Sequence, residues 1–363
     1  MSKPWIKRVF PGGNTPLGFY SFYDFVLPRE KGKKLILLKG GPGTGKSSFM
    51  KTIGQKFLDL QYNIEFHHCS SDPASVDAMV VPELKVGIID GTAPHIVDPI
   101  YPGAVDEILY LGNHWDGKKL QQQKEKIISL KKQTNLCFQK AYGYLRAAGM
   151  IYDNWIMNQK QYMDKGKYNE KVQSLLETLL GNLPISPTLG EERHLFGSAI
   201  TPEGFTNFLP SIIGHYSRVY EIKDEPGASA EELLNTLYQQ AIRRGLDVEC
   251  YHSPIQVGKI EDLLIPSLDI AITVSNVYHH TSVAPTQTID LTSCIAQSKQ
   301  QSIILELEQD QKTFENLVEK AVEYLKKAKA SHHELESYYI ESMNFESMDD
   351  LMESTFQRLL QLA

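Results

Sequence analysis

Nine consecutive residues, Gly40-Gly41-Pro42-Gly43-Thr44-Gly45-Lys46-Ser47-Ser48, carry the clearest chemistry in the chain. They fit the spacing GxxxxGK[ST], with Gly40, Gly45, Lys46 and Ser47 at the fixed places. Glycines at these positions let a loop turn so that successive backbone N–H groups point inward. With the positive end of a following helix, those groups hold phosphate oxygens. In that chemistry Lys46 reaches the β- and γ-phosphates, and the Ser47 hydroxyl ligates Mg²⁺. The context fits. LILLK (35–39) reads as a strand immediately before the loop, and SFMKTIGQKFLDL (48–60) reads as a helix immediately after it. Two carboxylates complete the candidate set. Asp90 ends the apolar run VGIID (86–90), where a buried strand would bring it to the metal beside Ser47. Asp72, in HHCSSDP, could position a water or a substrate hydroxyl, or could simply start a turn. Lys46, Asp90 and Asp72 are therefore the catalytic candidates, and Ser47 and Asp90 the metal candidates.

The elements that would position these residues occur twice. An offset of 184 lays LKGGPGTGKSSFM (38–50) on IKDEPGASAEELL (222–234). The same offset lays Glu65 on Glu249, His68 on His252, Pro82 on Pro266, Leu84 on Leu268 and His95 on His279. TPLGFYSF (15–22) matches TPEGFTNF (201–208) at 186, and AYGYLRAA (141–148) matches AVEYLKKA (321–328) at 180. Matches in the same order at a near-constant offset indicate an internal duplication. The halves are 1–182 and 183–363, divided at the turn-rich Gly181-Asn182-Leu183-Pro184. Each half reads as strands alternating with helices, which predicts a parallel, doubly wound α/β sheet. Strands are expected near 34–39, 63–69, 86–90 and 107–111, and near 218–222, 247–251, 270–274 and 288–291. A long amphipathic helix follows each. Ile127, Leu130, Thr134, Phe138, Ala141, Leu145 and Ala148 follow a three/four spacing, as do Ile303, Leu307, Phe314, Leu317, Ala321, Leu325 and Ala328. These helices could cover the sheets, act as a lid or arm, or pair in a homo-oligomer.

The second half reads as a disabled copy. Ala230 stands opposite Lys46, Glu231 opposite Ser47, and Asp224 and Glu225 opposite Gly40 and Gly41. Val274 stands opposite Asp90, and Gln256 opposite Asp72. Ser229-Ala230-Glu231-Glu232 predicts a capping box, with the Ser229 side chain closing the helix start. One nucleotide site per chain follows. The histidines shared by both halves, His68/His252 and His95/His279, point to a structural role because they persist where the phosphate chemistry does not. Arg193, Arg218, Arg243 and Arg244 are the arginines near the second sheet, and none stands in a motif.

At GGPGTGKSS the first half resembles P-loop NTPases. The short span from the loop to VGIID resembles the nucleoside and nucleotide kinase branch. The tandem arrangement resembles a bacterial family of tandem P-loop proteins in which one half keeps the motif. The resemblance implies ATP and Mg²⁺ as ligands, and either ATP hydrolysis or phosphoryl transfer to a small acceptor. A nucleotide-dependent switch or scaffold acting through a protein partner is the alternative. No guanine-reading motif is present, so ATP is favoured over GTP; no motif identifies the acceptor or partner.

Composition sets outer bounds. With 42% hydrophobic and 22% charged residues the mix is that of a globular chain, and 363 residues accommodate two domains. A net charge of −7 without a basic tract argues against bulk nucleic-acid binding. No apolar run approaches membrane-spanning length. Cys69, Cys137, Cys250 and Cys294 are widely separated, which fits reduced thiols in a cytoplasmic protein.

Overall fold

The structure, a computed structural model, describes residues 3–93, 96–296 and 301–363. The first half supplies strands β1 (Ile6–Val9), β2 (Gly12–Thr15), β3 (Gly18–Ser21) and β4 (Lys34–Lys39), then helix α1 (Lys46–Asp59). Strands β5 (Ile64–Cys69), β6 (Asp72–Val81), β7 (Val86–Asp90) and β8 (Asp106–Tyr110) follow, with helices α2 (Gly117–Gln122), α3 (Lys124–Lys160) and α4 (Lys165–Leu180). The second half supplies β9 (Glu192–Leu195), β10 (Ser198–Thr201), β11 (Gly204–Asn207), α5 (Leu209–Ile213), β12 (Arg218–Lys223) and α6 (Ala230–Arg243). It continues with β13 (Val248–His252), β14 (Ile260–Ile265), β15 (Ile270–Ser275), β16 (Gln287–Asp290), α7 (Gln301–Ile340) and α8 (Phe345–Leu360). Among the described residues no helix is long and apolar enough to cross a membrane.

The chain forms two compact units whose make-up differs from a division at residue 182. One comprises Met1–Gly12, Ser21–Ala141 and Glu323–Ala363; the other comprises Gly13–Tyr20 and Tyr142–Val322. The end of α7 and all of α8, from the second half, thus belong to the unit that contains β4 and α1. The end of α3 and all of α4, from the first half, belong to the unit that contains β12 and α6.

The first unit is built on a six-stranded sheet of order β1-β5-β6-β7-β4-β8. Pairs β1–β5, β4–β7 and β4–β8 are parallel. Strand β6 runs antiparallel to both its neighbours. The expectation of a parallel sheet is corrected here: the sheet is mixed. The reason is connection length. Ser70-Ser71 alone joins β5 to β6, and Pro82–Lys85 joins β6 to β7. A parallel crossover needs a dozen or more residues, usually a helix, so these short links can make only hairpins. Lys85, at φ 56°, takes the left-handed turn that reverses the chain.

The second unit holds a six-stranded sheet of order β16-β12-β15-β14-β13-β9, in which β14 is the antiparallel strand. Its turn residue before β15 is Asp269, at φ 55°. This unit also holds a four-stranded sheet of order β11-β10-β2-β3. The two TPxGF segments form its hairpin turns. Thr15 Oγ1 donates to the Gly18 carbonyl at 2.8 Å and Thr201 Oγ1 to the Gly204 carbonyl at 3.0 Å. Both glycines stand at φ 96°, a conformation that excludes side chains.

Each unit has one principal apolar core. In the first, Ile36, Leu38, Ile64, Met79 and Ile88 of the sheet meet Phe49, Met50, Ile53 and Phe57 of α1, and Met348, Phe356 and Leu359 of α8 close it. In the second, Ile222, Leu263 and Ile272 meet Leu233, Leu234 and Leu237 of α6, and Leu175, Leu179 and Leu180 of α4 close it. The Phe57 and Phe356 rings meet edge to face, with centroids 5.0 Å apart. Removing a buried aromatic ring costs about 3–5 kcal/mol. Phe356→Ala should therefore weaken the first unit by about 3 kcal/mol. Hydrogen exchange checks this: amides of α1 and β5 should exchange faster in the variant, while those of β12 and β15 hold their rates.

Candidate functional site

The loop between β4 and α1 owes its shape to two left-handed residues, Gly43 at φ 68° and Gly45 at φ 85°. Gly45 is the N-cap of α1, and no side chain caps the helix start. The helix's first N–H groups thus face into the loop's concavity. Thr44, buried, donates its hydroxyl to the Gly41 carbonyl at 2.9 Å and closes the loop on itself. A Cβ on Gly40 would stand 2.9 Å from that hydroxyl, so this position admits no side chain without disturbing the closure. Pro42 lies within the turn, and Ser48 is exposed on the first turn of α1.

Lys46 bends back over the loop. Its Nζ donates to the Gly41 carbonyl at 2.7 Å and to the Gly40 carbonyl at 3.4 Å, and lies 3.6 Å from Asp90 Oδ2. Parallel register between β4 and β7 sets Leu38 level with Asp90, which delivers the carboxylate to the loop's edge. Asp90 Oδ1 is held by the backbone N–H and hydroxyl of Thr92, leaving Oδ2 turned to the lysine. Ser47 Oγ accepts the Val76 N–H of β6 at 3.1 Å. The structure therefore gathers Lys46, Ser47 and Asp90 around one loop.

Asp72 opens β6, four residues before Val76. Its Oδ1 is 2.8 Å from Lys329 Nζ and its Oδ2 accepts the Ser75 hydroxyl at 2.7 Å. Burial by itself would raise this carboxyl; the hydrogen bonds from Lys329 and Ser75 outweigh it and hold the pKa below the ordinary range. Asp72 therefore stays ionised, next to the strand that holds Ser47.

Sequence reasoning missed the contribution of α7. Lys329, His332, His333 and Glu336 stand at i, i+3, i+4 and i+7, one polar face of a helix. That stripe was the available signal. In the first unit it lies against the loop. Partial burial, with Lys131, His333 and Lys46 nearby, lowers the His332 pKa to about 4, so its imidazole is neutral at pH 7. Burial raises the Glu336 carboxyl, opposed by His333 and by the nearby Gly43 N–H.

In the second unit the loop before α6 keeps the backbone form, with Gly227 at φ 97° and Ser229 at φ 67°. The expected capping box is corrected: Ser229 makes no side-chain cap bond, and its buried hydroxyl has no hydrogen-bond partner. Its left-handed backbone turns the side chain away from the helix N–H groups. The Asp224 carboxyl stands at that helix start instead, near the Ala230 and Glu225 N–H groups, with its Oδ1 lacking a hydrogen-bond partner among the described residues. Burial and then Glu231 push the Asp224 carboxyl up to about 8. Asp224, Glu231 and Glu261 line a pocket here with Lys259, whose Nζ is 3.0 Å from Glu231. Acidic side chains thus surround the place where the first unit presents Lys46 and uncapped helix N–H groups.

Three of the four arginines near the second sheet are engaged locally: Arg193 with Glu249, Arg218 with the Leu268 carbonyl, and Arg244 with Leu183 and Gln240. His68 and His252 do the same task in their own units. Nδ1 of each lies 2.8 Å from the Pro73 carbonyl and 2.7 Å from the Val257 carbonyl, respectively, pinning the turn five residues on. His95 lies outside the described residues. No protein-family model, curated protein or solved structure matches the chain.

His279 is buried, with Nε2 3.0 Å from Asp262 Oδ1 and Nδ1 3.2 Å from Glu261 Oε2. Burial would lower its pKa, but Asp262 and then Glu261 raise it to about 9. An imidazolium whose folded pKa lies above its unfolded value of about 6.5 adds stability that is complete below that pH and lost as pH rises through the folded pKa. Burial raises the Glu261 pKa, which acts in the same direction. The second unit should weaken between pH 6.5 and about 9. His279→Gln should flatten that slope and cost about 3 kcal/mol at the low end, where it breaks a buried charged pair. Urea denaturation at several pH values measures both.

Proposed function

We propose that the chain binds one nucleoside triphosphate with Mg²⁺ at residues 40–48, and hydrolyses it or transfers its terminal phosphoryl group to a small acceptor. The observation that carries this reading is the Lys46 ammonium, poised over a left-handed glycine loop between the Gly41 carbonyl and Asp90. Phosphoryl transfer depends on positioning and charge stabilisation more than on covalent chemistry. The residues present fit that demand. The N–H groups of the loop and of the first turn of α1 would hold the β- and γ-phosphates, and Lys46 would exchange its carbonyl contacts for phosphate oxygens. Ser47 and Asp90 would hold the metal, which draws charge from the phosphates when bound. Asp72, ionised, would orient the attacking water or hydroxyl. Lys329 beside it adds a cation to the same edge of the site.

Several observations support the finer parts of the reading, a P-loop protein of the nucleoside and nucleotide kinase type arising by tandem duplication. The two six-stranded sheets share strand order and strand directions. Left-handed residues recur at Gly43 and Gly227, Gly45 and Ser229, and Lys85 and Asp269. ATP remains preferred over GTP on the sequence. A nucleotide-dependent switch acting on a protein partner is the second reading, favoured by the polar face of α7 against the loop.

Lys46→Ala should weaken ATP–Mg²⁺ binding by at least about 100-fold, near 2.7 kcal/mol. Asp90→Asn should lower turnover about 100-fold while changing nucleotide affinity much less. Calorimetry and phosphate release measure the two effects. Unchanged affinity in Lys46→Ala would remove the proposal.

A further inference from the structure

We propose that Glu336 is a built-in competitor for nucleotide phosphate: its turn of α7 covers the glycine loop with the carboxylate beside the Gly43 N–H, and a bound nucleotide displaces it with the end of α7. This rests on the nucleotide reading above.

The case is geometric. The Glu336 carboxyl lies near enough to the Gly43 N–H to be lowered by it. The same turn of α7 packs on the loop backbone. A Cβ placed on Gly43 would stand 2.7 Å from the Glu336 carbonyl oxygen and 3.0 Å from Ile340. A Cβ on Gly41 would stand 2.5 Å from the Tyr339 ring. The glycines thus admit both a phosphate and the roof now lying over them, but they use the same face for each. A polyphosphate on the Gly43 N–H needs the donor that Glu336 stands beside, and its negative charge would meet that carboxylate at close range. Like charges this close, in a partly desolvated site, exclude each other.

The second unit supplies the contrast. There the backbone oxygen packed on Gly227 is that of Ile156, 3.0 Å from a Cβ placed on that glycine, and the position carries no charge. The acid in that position is Asp224, which belongs to the loop itself and lies near the Ala230 N–H. An acid on the loop is a permanent occupant. An acid on a separate helix is a removable one. Its surroundings favour release as well as holding: His333 and Lys46 attract Glu336, while Asp72 repels it.

The test uses the full chain and ATP–Mg²⁺. Glu336→Gln keeps the side chain's shape and removes its charge. It should bind ATP–Mg²⁺ about tenfold more tightly than the wild type, equal to 1.4 kcal/mol. In the wild type, nucleotide should speed hydrogen exchange across residues 329–340. Binding seen only in Glu336→Gln is the extreme of the same result. Equal or weaker affinity in Glu336→Gln, or unchanged exchange over 329–340 in nucleotide-bound wild type, overturns this inference and leaves the nucleotide reading standing. Failure of both proteins to bind overturns the two together.

Discussion

A backbone that turns left-handed twice within three residues, at Gly43 and Gly45, is the constraint on which the candidate site depends. That turn leaves the first N–H groups of α1 without side-chain caps and brings Lys46 back over its own loop. An uncapped helix start beside an ammonium concentrates positive potential in a small volume. The surrounding elements manage that potential. Asp90 arrives by strand register, Asp72 by the start of β6, and Glu336 by the polar face of α7. The other unit has the same backbone turn but answers it with Asp224 from within the loop. The two loops thus differ in which element supplies the acid, more than in backbone form.

The make-up of the units explains how a distant segment comes to be part of the site. The first unit's core is closed by Met348, Phe356 and Leu359 of α8, and the second's by Leu175, Leu179 and Leu180 of α4. Burying those side chains fixes the preceding helix end as well. For α8 that helix end is 323–340, which brings Lys329, Glu336 and Tyr339 to the glycine loop. Apolar burial in α8 therefore positions polar chemistry in α7.

Much of this was legible in the sequence, and the rest was hidden for identifiable reasons. Strand β4 and strand β7 fall where the apolar runs place them, as does the carboxylate at the end of β7. The loop signature and its strand–helix context are local, so they need no tertiary knowledge. Strands β6 and β14 escaped because β5 and β7 read as successive parallel strands. The sixteen residues between them are enough for a parallel crossover, so length alone did not demand the intervening hairpin strand. The capping box at Ser229 failed because the pattern assumes an extended N-cap, whereas Ser229 takes a left-handed backbone at φ 67°. Lys329 and Glu336 were readable as a helical stripe but not as neighbours of Asp72 and Gly43, since which core α8 enters is a tertiary choice. His332 could not be ranked above other exposed-looking histidines until its crowding by cations was visible.

One nucleotide site per chain is the central claim, because it joins the intact loop, the altered one and the difference between the two acids. The most direct measurement is the stoichiometry of ATP–Mg²⁺ binding to the purified chain by equilibrium dialysis. The account predicts saturation at one nucleotide per chain. Two per chain would contradict the disabled second loop, and none would contradict the phosphate site itself.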